Sequence, residues 1–225
     1  MYKLRIVYSK TKEAAYISHL DLISVIERAF RRLNIQMIYS NGFSPRPDIT
    51  FAAPLSVGIE STGEIFEIVI EEKLDIPYIV KNLNTEMPSG IIVLNAEYVE
   101  LEGKNIMARA YASIYEIRIV FGEKEFDGKN KKEIEEIKKW YKESMQQYLM
   151  QTNILVIKKS KNRMERIDIK PGIIDYEFLI DGALKVSLFT GQDNNVKPDN
   201  IMVGFIEYIG KEVEYEIKRI KILIK

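Results

Sequence analysis

The sequence of 225 residues contains no cysteine and a single histidine. The lack of cysteine excludes disulfide bonds, iron–sulfur clusters held by thiolates, zinc sites built from cysteine, and a thiol nucleophile. The single histidine excludes any site that needs two imidazole groups. We therefore expect neither a metal site nor a bound cofactor, and the composition by itself proposes no reaction.

Long apolar segments are also missing from the sequence. No run reaches the roughly 18 apolar residues that a membrane-spanning helix needs. The segment 2–8 alternates polar and apolar residues, whereas a signal peptide needs an uninterrupted apolar stretch of roughly 7–15 residues. We therefore predict a cytoplasmic protein that has no membrane partner.

The formal charges sum to zero, but they are unevenly distributed along the chain. Residues 1–48 carry a balance of +4, residues 60–102 a balance of −8, and residues 156–170 a balance of +4. Either these charges lie on ordinary solvated faces, or the basic segments form a surface that meets a polyanion. A net charge of zero therefore does not exclude a nucleic-acid partner.

The hydrophobic periodicity of the first half predicts both strands and helices. Ser18 is the predicted N-cap of the first helix, and Asp75 is the predicted N-cap of the second. In chain order the pattern predicts strand 2–8, a helix after Ser18, strand 35–39, an extended segment 49–55, strand 63–72, helix 76–87 and strand 91–99. The order strand–helix–strand–strand–helix–strand is typical of a ferredoxin-like arrangement.

The second half of the chain repeats this order of elements. The pattern predicts strand 111–121, helix 131–150, strand 153–157, a short extension at 164–169, a hairpin over 176–189, helix 198–208 and strand 213–224. Trp140 lies on the apolar side of its helix and is expected in the core. The sequence thus predicts an α+β protein of two tandem ferredoxin-like (βαββαβ) halves, residues 1–104 and 105–225, with antiparallel sheets and helices on one face.

His19 and Asp48 are the candidate catalytic residues. Histidine is the side chain best suited to proton transfer near neutral pH. Close to a helix N-terminus, His19 could act as a general base or contact a phosphate. Alternatively, it hydrogen-bonds the backbone and orders the turn before the helix. Asp21 is better explained as a capping residue.

The segment 40–48 is the stronger functional candidate. Pro45 and Pro47 restrict the backbone on either side of Arg46 and hold its side chain outward. An exposed arginine close to Phe43 suits phosphate contact and base stacking, the combination used by proteins that bind single-stranded RNA. Alternatively, the segment is a tight structural connection with Phe43 in the core. The candidate phosphate-binding residues are Arg46, Arg31, Arg32, Lys158, Lys159 and Arg163, with His19 and Phe43 lining the site.

Several motifs together resemble a known bacterial family. They are Ile17–Leu22 with Glu27–Arg32, Tyr39–Pro47, Phe51–Ser61, Asp168–Pro171, Thr190–Gly191 and Val196–Pro198. They resemble the radical-SAM-linked, or radical-SAM-associated, proteins, a domain of unknown function. In that family the domain stands alone or is fused to a B12-binding radical SAM enzyme, so the resemblance implies such an enzyme as partner. Where family members often carry a basic residue after the second proline, this chain has Asp48.

The order of elements is also similar to that of tandem ferredoxin-like RNA-processing proteins, a likeness of fold that does not imply function. Our leading hypothesis is an accessory RNA-binding or substrate-presenting protein that works with a radical SAM enzyme and is not itself catalytic. One alternative is an RNA-cleaving or RNA-modifying enzyme that uses His19 or Asp48. Another is a protein–protein adaptor that docks its partner through the acidic 60–102 region, without nucleic acid.

Overall fold

The computed structural model describes residues 1–160, 163–191 and 195–225. The fold is mixed α+β and contains a large, mostly antiparallel sheet. Within the described ranges, no helix is long and apolar enough to cross a membrane. Backbone contacts divide the chain into two units, which we describe separately.

Unit 1 comprises Met1–Ser113 and Lys218–Lys225. Its elements are β1 (Tyr2–Lys10), a 3₁₀ turn (Lys12–Tyr16), α1 (His19–Arg32), β2 (Ile49–Phe51), β3 (Glu60–Ile70), α2 (Ile76–Glu86), β4 (Ile91–Val99), α3 (Ile106–Arg109) and one end each of the long strands β5 (Ala110–Val120) and β10 (Glu214–Ile224). The strand order is β4-β1-β3, with antiparallel neighbours, and β2 also pairs with β3. β10 joins β3 in parallel, where Lys218 lies opposite Glu60.

Unit 2 comprises Ile114–Ile217 and includes the other ends of β5 and β10. Its elements are α4 (Glu123–Phe126), α5 (Lys131–Leu149), β6 (Leu155–Ser160), β7 (Arg163–Asp168), a 3₁₀ turn (Lys170–Gly172), β8 (Ile173–Phe178), β9 (Leu184–Phe189) and α6 (Pro198–Ile209). The strand order is β10-β5-β9-β8, and β6 and β7 form a separate two-stranded sheet. The domain division predicted between residues 104 and 105 stays a prediction.

Both predicted helix caps of the first half are confirmed. Ser18 Oγ accepts a hydrogen bond of 3.2 Å from the Asp21 amide, and α1 begins at the next residue. Asp75 caps α2 by accepting from the Tyr78 amide at 3.1 Å. Each cap satisfies a backbone donor that has no acceptor within its own helix, so a short-range pattern was sufficient to place these helix starts.

The core of unit 1 lies between its sheet and the two long helices. Side chains alternate along β1, and the apolar ones on the helix side are fully buried. They pack against one face of α1, which buries residues at the spacing of an amphipathic helix. The buried contributors from these two elements are Leu4, Ile6, Tyr8, Leu22, Ile26, Ala29 and Phe30.

The other face of the same sheet contains a buried ion pair. Arg5 on β1 lies with Nη2 2.8 Å from Glu67 Oε1 on β3 and Nη1 3.0 Å from Glu97 Oε1 on β4. Glu67 is almost completely buried, whereas Glu97 is exposed. The acidic 60–102 region is therefore not simply a solvated face.

Two sequence predictions of local structure were wrong. Residues 35–39, predicted as a strand, form isolated bridges at Met37 and Tyr39. Trp140, predicted in the core, is 46% exposed. Its neighbour Tyr141 is buried instead, and the two ring centroids lie 4.8 Å apart. The helical spacing of α5 could not distinguish these adjacent residues, which border the same apolar face.

Position 63 on β3 requires glycine, because the backbone of β10 approaches it closely. A Cβ atom at this position would lie 2.4 Å from the Ile220 carbonyl oxygen, which belongs to the backbone. The obstacle therefore cannot move aside as a flexible side chain could. Glycine at this position lets β10 lie against β3.

Gly63→Ala is expected to lower the free energy of unfolding by about 1–3 kcal/mol, because the new methyl group overpacks the contact with β10. Denaturant unfolding followed by circular dichroism measures this change. Gly122→Ala is the matched control, since a Cβ atom there meets no atom within 4 Å. Equal stability of the two variants would contradict this role of Gly63.

Candidate functional site

The segment from Ser40 to Arg46 is an exposed loop whose two ends are hydrogen-bonded to each other. The Ser40 amide donates to the Arg46 carbonyl at 2.8 Å, and the Arg46 amide donates to Ser40 Oγ at 3.1 Å. Tyr39 and Pro47 form a bridge just outside these bonds. The loop is therefore closed at its base.

Two of the predicted RNA-binding residues, Phe43 and Arg46, lie on this loop. Phe43 is fully exposed, and the alternative that places it in the core is therefore wrong. Arg46 is also exposed. Among the described residues, no side chain forms an ion pair with its guanidinium. An aromatic ring and a cation thus both face solvent on one short, closed loop.

Arg31 connects α1 to the base of the loop. Its Nε and Nη2 atoms both donate to the Tyr39 hydroxyl at 3.2 Å, and Nη2 lies 2.8 Å from Glu27 Oε1. The hydrogen bond to Tyr39 and the charge of Glu27 raise the pKa of Arg31. Arg31 remains largely exposed, so it lies beside the loop with its charge accessible.

The remaining predicted cations do not join this group. Arg32 forms an ion pair with the Glu86 carboxylate and donates to the Glu86 carbonyl at 2.6 Å, at the end of α2. Lys158, Lys159 and Arg163 belong to β6 and β7 in unit 2, where their backbones pair as a hairpin. Their side chains lie outside the described part of the structure. Their assignment as phosphate contacts stays a prediction.

The two candidate catalytic residues, His19 and Asp48, have different contacts. His19 is the first residue of α1, and its ring centroid lies 4.7 Å from that of Phe51. The backbone of Asp48 donates to the Ile38 carbonyl and accepts from the Val69 amide. Because α1 rises 1.5 Å per residue, His19 and Arg31 are about 18 Å apart along its axis. A catalytic role for His19 or Asp48 stays a prediction.

A buried group of charged side chains lies beneath the N-terminus of α1, and no motif in the sequence indicates it. It comprises Lys10 on β1, Glu64 on β3 and Arg219 on β10, which are 3%, 2% and 1% exposed. Arg219 Nε lies 3.2 Å from Glu64 Oε1. We call these three residues the buried charge cluster.

Backbone carbonyls complete the surroundings of the two cations. Arg219 Nη2 donates to the Pro54 carbonyl at 2.7 Å. Lys10 Nζ donates to the carbonyls of Ala15 and Ile17 at 3.1 and 2.7 Å. The cluster therefore ties β10 to the segment after β2, and β1 to the chain that leads into α1.

A small cavity opens beside this cluster, with a volume of about 10 Å³, close to what one water molecule occupies. Polar and apolar side chains both line it. The lining residues are Tyr8, Lys10, His19, Leu22, Phe51, Ala53, Leu55 and Glu64. Since His19 is exposed, the cavity meets the surface at the first turn of α1.

Burial perturbs the proton affinities of the groups around the cavity. Desolvation raises the pKa of Glu64, against the opposing effect of Arg219. Desolvation also lowers the pKa of Lys10, partly offset by Glu64. The pKa of Tyr8 is raised well above its ordinary value, first by burial and then by Glu64. Perturbed groups gathered at one cavity are a recognised mark of a functional site.

Unit 2 has a broader groove between α5 and its sheet, with a volume of about 570 Å³. Lys142 and Phe178 both line this groove, and Lys142 Nζ lies 5.6 Å from the centroid of the Phe178 ring. The Arg118 guanidinium in this groove is already paired, since it binds both Glu116 and Asp181.

The described part of the chain contains no group of three or more His, Asp or Glu side chains that could hold a metal ion.

Replacing one member of the Arg219–Glu64 pair is expected to be more harmful than replacing both. Glu64→Leu or Arg219→Met alone leaves a buried charge without its partner, at a cost of about 3–5 kcal/mol. In the double variant both charges are absent, so its cost is expected to be smaller than the sum of the two. Urea unfolding of the four proteins measures the coupling energy.

The exposed ion pair between Glu177 on β8 and Lys185 on β9 is the control for this double-mutant cycle. Glu177→Leu and Lys185→Met, made singly and together, are expected to give a coupling below about 1 kcal/mol, as is usual for surface ion pairs. Additive effects at Arg219 and Glu64 would show that their contact contributes no coupling.

Comparisons with known proteins identify a family and little else. The model of a family described as "uncharacterized protein conserved in bacteria" (DUF2344) matches residues 3–198. No curated protein shows significant similarity to the chain. Among solved structures, a crystal structure of an unknown protein from Galdieria sulphuraria is 6% identical over 97% of this chain and 98% of that chain, with a TM-score of 0.29.

Proposed function

The chain belongs to the bacterial family whose model matches residues 3–198, and we propose that it is a non-catalytic accessory protein that binds single-stranded RNA for a radical SAM enzyme. One observation carries the RNA-binding part of the proposal. Phe43 is fully exposed on a closed loop that also exposes Arg46.

An exposed phenylalanine at a closed loop can gain free energy by binding a partner that covers its ring. A solvated aromatic ring gains nothing from the hydrophobic effect, and its removal from water stabilises a complex. Every nucleobase offers a flat face to such a ring, and base stacking on an aromatic side chain contributes about 1–3 kcal/mol. The neighbouring guanidinium can contact the phosphate of the stacked nucleotide. The loop therefore suits an unpaired strand better than a duplex, whose bases are already stacked.

Arg31 extends the same surface. Arg31 lies at the base of the loop because it donates a hydrogen bond to the Tyr39 hydroxyl. Its side chain remains largely exposed to solvent. A strand that stacks on Phe43 would then pass two guanidinium groups, those of Arg46 and Arg31. Arg31 and Arg32 each already bind a carboxylate, that of Glu27 and that of Glu86, so Arg46 is expected to contribute most to phosphate contact.

The radical SAM partner follows from the resemblance noted in the sequence and from the absence of cysteine. A chain without thiolates lacks the ligands that hold an iron–sulfur cluster in radical SAM enzymes. In the proposed division of labour, the B12-binding enzyme supplies the cluster chemistry, and this chain supplies a surface that presents the substrate.

The strand orders support the further proposal of two ferredoxin-like halves. In unit 1 the order β4-β1-β3-β2 places the first and third strands between the fourth and the second. In unit 2 the order β10-β5-β9-β8 has the same form if the β6–β7 hairpin is treated as an insertion. Each order is the one expected of a βαββαβ unit.

Phe43→Ala is expected to weaken binding of single-stranded RNA by about 5–150-fold, which corresponds to the loss of one base-stacking contact. Fluorescence anisotropy with a labelled oligonucleotide measures the dissociation constant. Ile180→Ala is the matched control, because it removes an equally exposed apolar side chain from unit 2. The stacking role is wrong if both variants bind RNA as the unchanged protein does.

Arg46→Ala is expected to lower the salt dependence of RNA binding by about 0.7 in the slope of log K against log [salt], since one phosphate contact is lost. Arg28→Ala, an exposed position on α1 outside the loop, should leave that slope unchanged. RNA binding that does not weaken with added salt would argue against phosphate contacts altogether.

The partnership requires a separate measurement. The tagged protein is expected to recover the B12-binding radical SAM enzyme from a bacterial lysate, with or without nuclease treatment. Recovery that disappears after nuclease treatment would mean that RNA alone links the two proteins. If no radical SAM enzyme is recovered under either condition, the partnership is wrong.

A further inference from the structure

The cavity beneath the N-terminus of α1 has more positive than negative charge around it. Lys10 and Arg219 are both buried cations, whereas Glu64 is the one acid among the described residues that line the cavity. Because Arg219 lies 3.2 Å from Glu64, it offsets that carboxylate. Buried charge is costly when it is not compensated, so the ammonium of Lys10 favours a further negative group nearby.

Hydrogen-bond donors converge on this cavity. The Tyr8 side chain lines it and is only 2% exposed, and its hydroxyl forms no hydrogen bond with any residue that the structure describes. Lys10 Nζ uses two of its three hydrogens on the carbonyls of Ala15 and Ile17, which leaves one free to donate. Both groups are therefore able to donate to an acceptor placed in the cavity.

The first turn of α1 adds donors at the mouth of the cavity. The amides at the start of a helix have no acceptor within the helix, and the positive end of its dipole attracts anions. Ser18 satisfies the amide of Asp21, which leaves those of His19 and Leu20 at the surface. The imidazole of His19 lines the cavity from the same side.

Apolar side chains form the rest of the wall. Leu22, Phe51 and Ala53 are buried, and their exclusion of water strengthens electrostatic interactions inside the cavity. The volume of about 10 Å³ admits one oxygen atom but not a whole phosphate or carboxylate group. An oxyanion could therefore enter with one oxygen and leave the others at the mouth.

We propose that this cavity binds a terminal phosphate group, a phosphomonoester. One of its three unesterified oxygens occupies the cavity and accepts hydrogen bonds from the Tyr8 hydroxyl and Lys10 Nζ. The other two remain at the mouth, against His19 and the first amides of α1. A phosphodiester fits less well, because it has only two unesterified oxygens for three groups of donors.

This inference depends on the cavity alone and not on RNA binding by the Phe43 loop. The two surfaces are nevertheless connected, since Pro47 at the base of the loop and Phe51 at the cavity are four residues apart, a span of at most about 14 Å. The phosphate could therefore belong to the end of an RNA strand or to a phosphorylated small molecule, which offer the same chemistry.

Inorganic phosphate is the first probe, titrated into the full chain by isothermal calorimetry in chloride buffer. Tyr8→Phe keeps the buried ring and removes only the hydroxyl, and it is expected to weaken phosphate binding about tenfold or more. His19→Gln, at an exposed position, is expected to weaken binding without unfolding the protein. Arg28→Gln is the control, because it replaces an exposed side chain of α1 that does not line the cavity and removes a positive charge that could attract phosphate nonspecifically.

Two oligonucleotides of one sequence then distinguish the sources of the phosphate. If the ligand is an RNA end, a 5′- or 3′-phosphorylated strand binds more tightly than the strand with hydroxyl ends, and Tyr8→Phe abolishes that difference. Phe43→Ala should weaken both strands equally, so failure of the loop and failure of the cavity are distinguishable. If Tyr8→Phe weakens the binding of inorganic phosphate but changes the binding of neither oligonucleotide, the ligand is a phosphorylated small molecule.

The site does not exist as proposed if the unchanged protein does not bind phosphate at millimolar concentration. The same conclusion follows if Tyr8→Phe and His19→Gln, each shown to be folded by thermal unfolding, bind phosphate as tightly as Arg28→Gln does.

Discussion

The contact between Arg219 and Glu64 is the interaction that holds β10, β3 and the segment beside the cavity together. It places a guanidinium from the last strand against a carboxylate of β3, and both side chains are almost fully buried. The close approach of β10 that brings Arg219 there requires glycine at position 63. Arg219 also holds the carbonyls of Ala53 and Pro54, so the segment beside the cavity has its position because of this residue. The cavity thus owes its shape to a strand that comes from the end of the chain.

Buried and exposed charges have different roles in this protein. Most ion pairs on the surface, such as those of α5, contribute little to stability because water screens them. The buried charges at Lys10, Glu64 and Arg219 are costly to desolvate, and the ion pair and the bonds to backbone carbonyls offset part of that cost. The exposed ring of Phe43 is the opposite case, an apolar group that is left in water. The buried charges depart from the usual distribution of polar residues, whereas single exposed apolar side chains such as Phe43 and Ile180 are common.

The sequence predicted local features well and contacts between distant segments poorly. The helix caps at Ser18 and Asp75 were found because a cap is defined by residues three positions apart. Trp140 was assigned to the core because helical periodicity identifies a face and not the burial of each residue at its border. Glu64 was missed as a candidate although an inward acid within an apolar strand was a visible signal. Its meaning depends on Arg219, and nothing in the sequence indicated that these two residues meet.

What the sequence by itself determined is most of the longer helices and strands, the caps at Ser18 and Asp75, and the exclusion of chemistry that needs cysteine. It also identified the Phe43 loop, because two prolines around an arginine constrain the backbone locally. The tertiary structure alone decided which charges are buried, since that depends on the pairing of β10 with β3. It also decided that Phe43 faces water and that Tyr8 lines a cavity. Local patterns are sufficient for elements, whereas a site built from three strands and a helix exists only once they pack together.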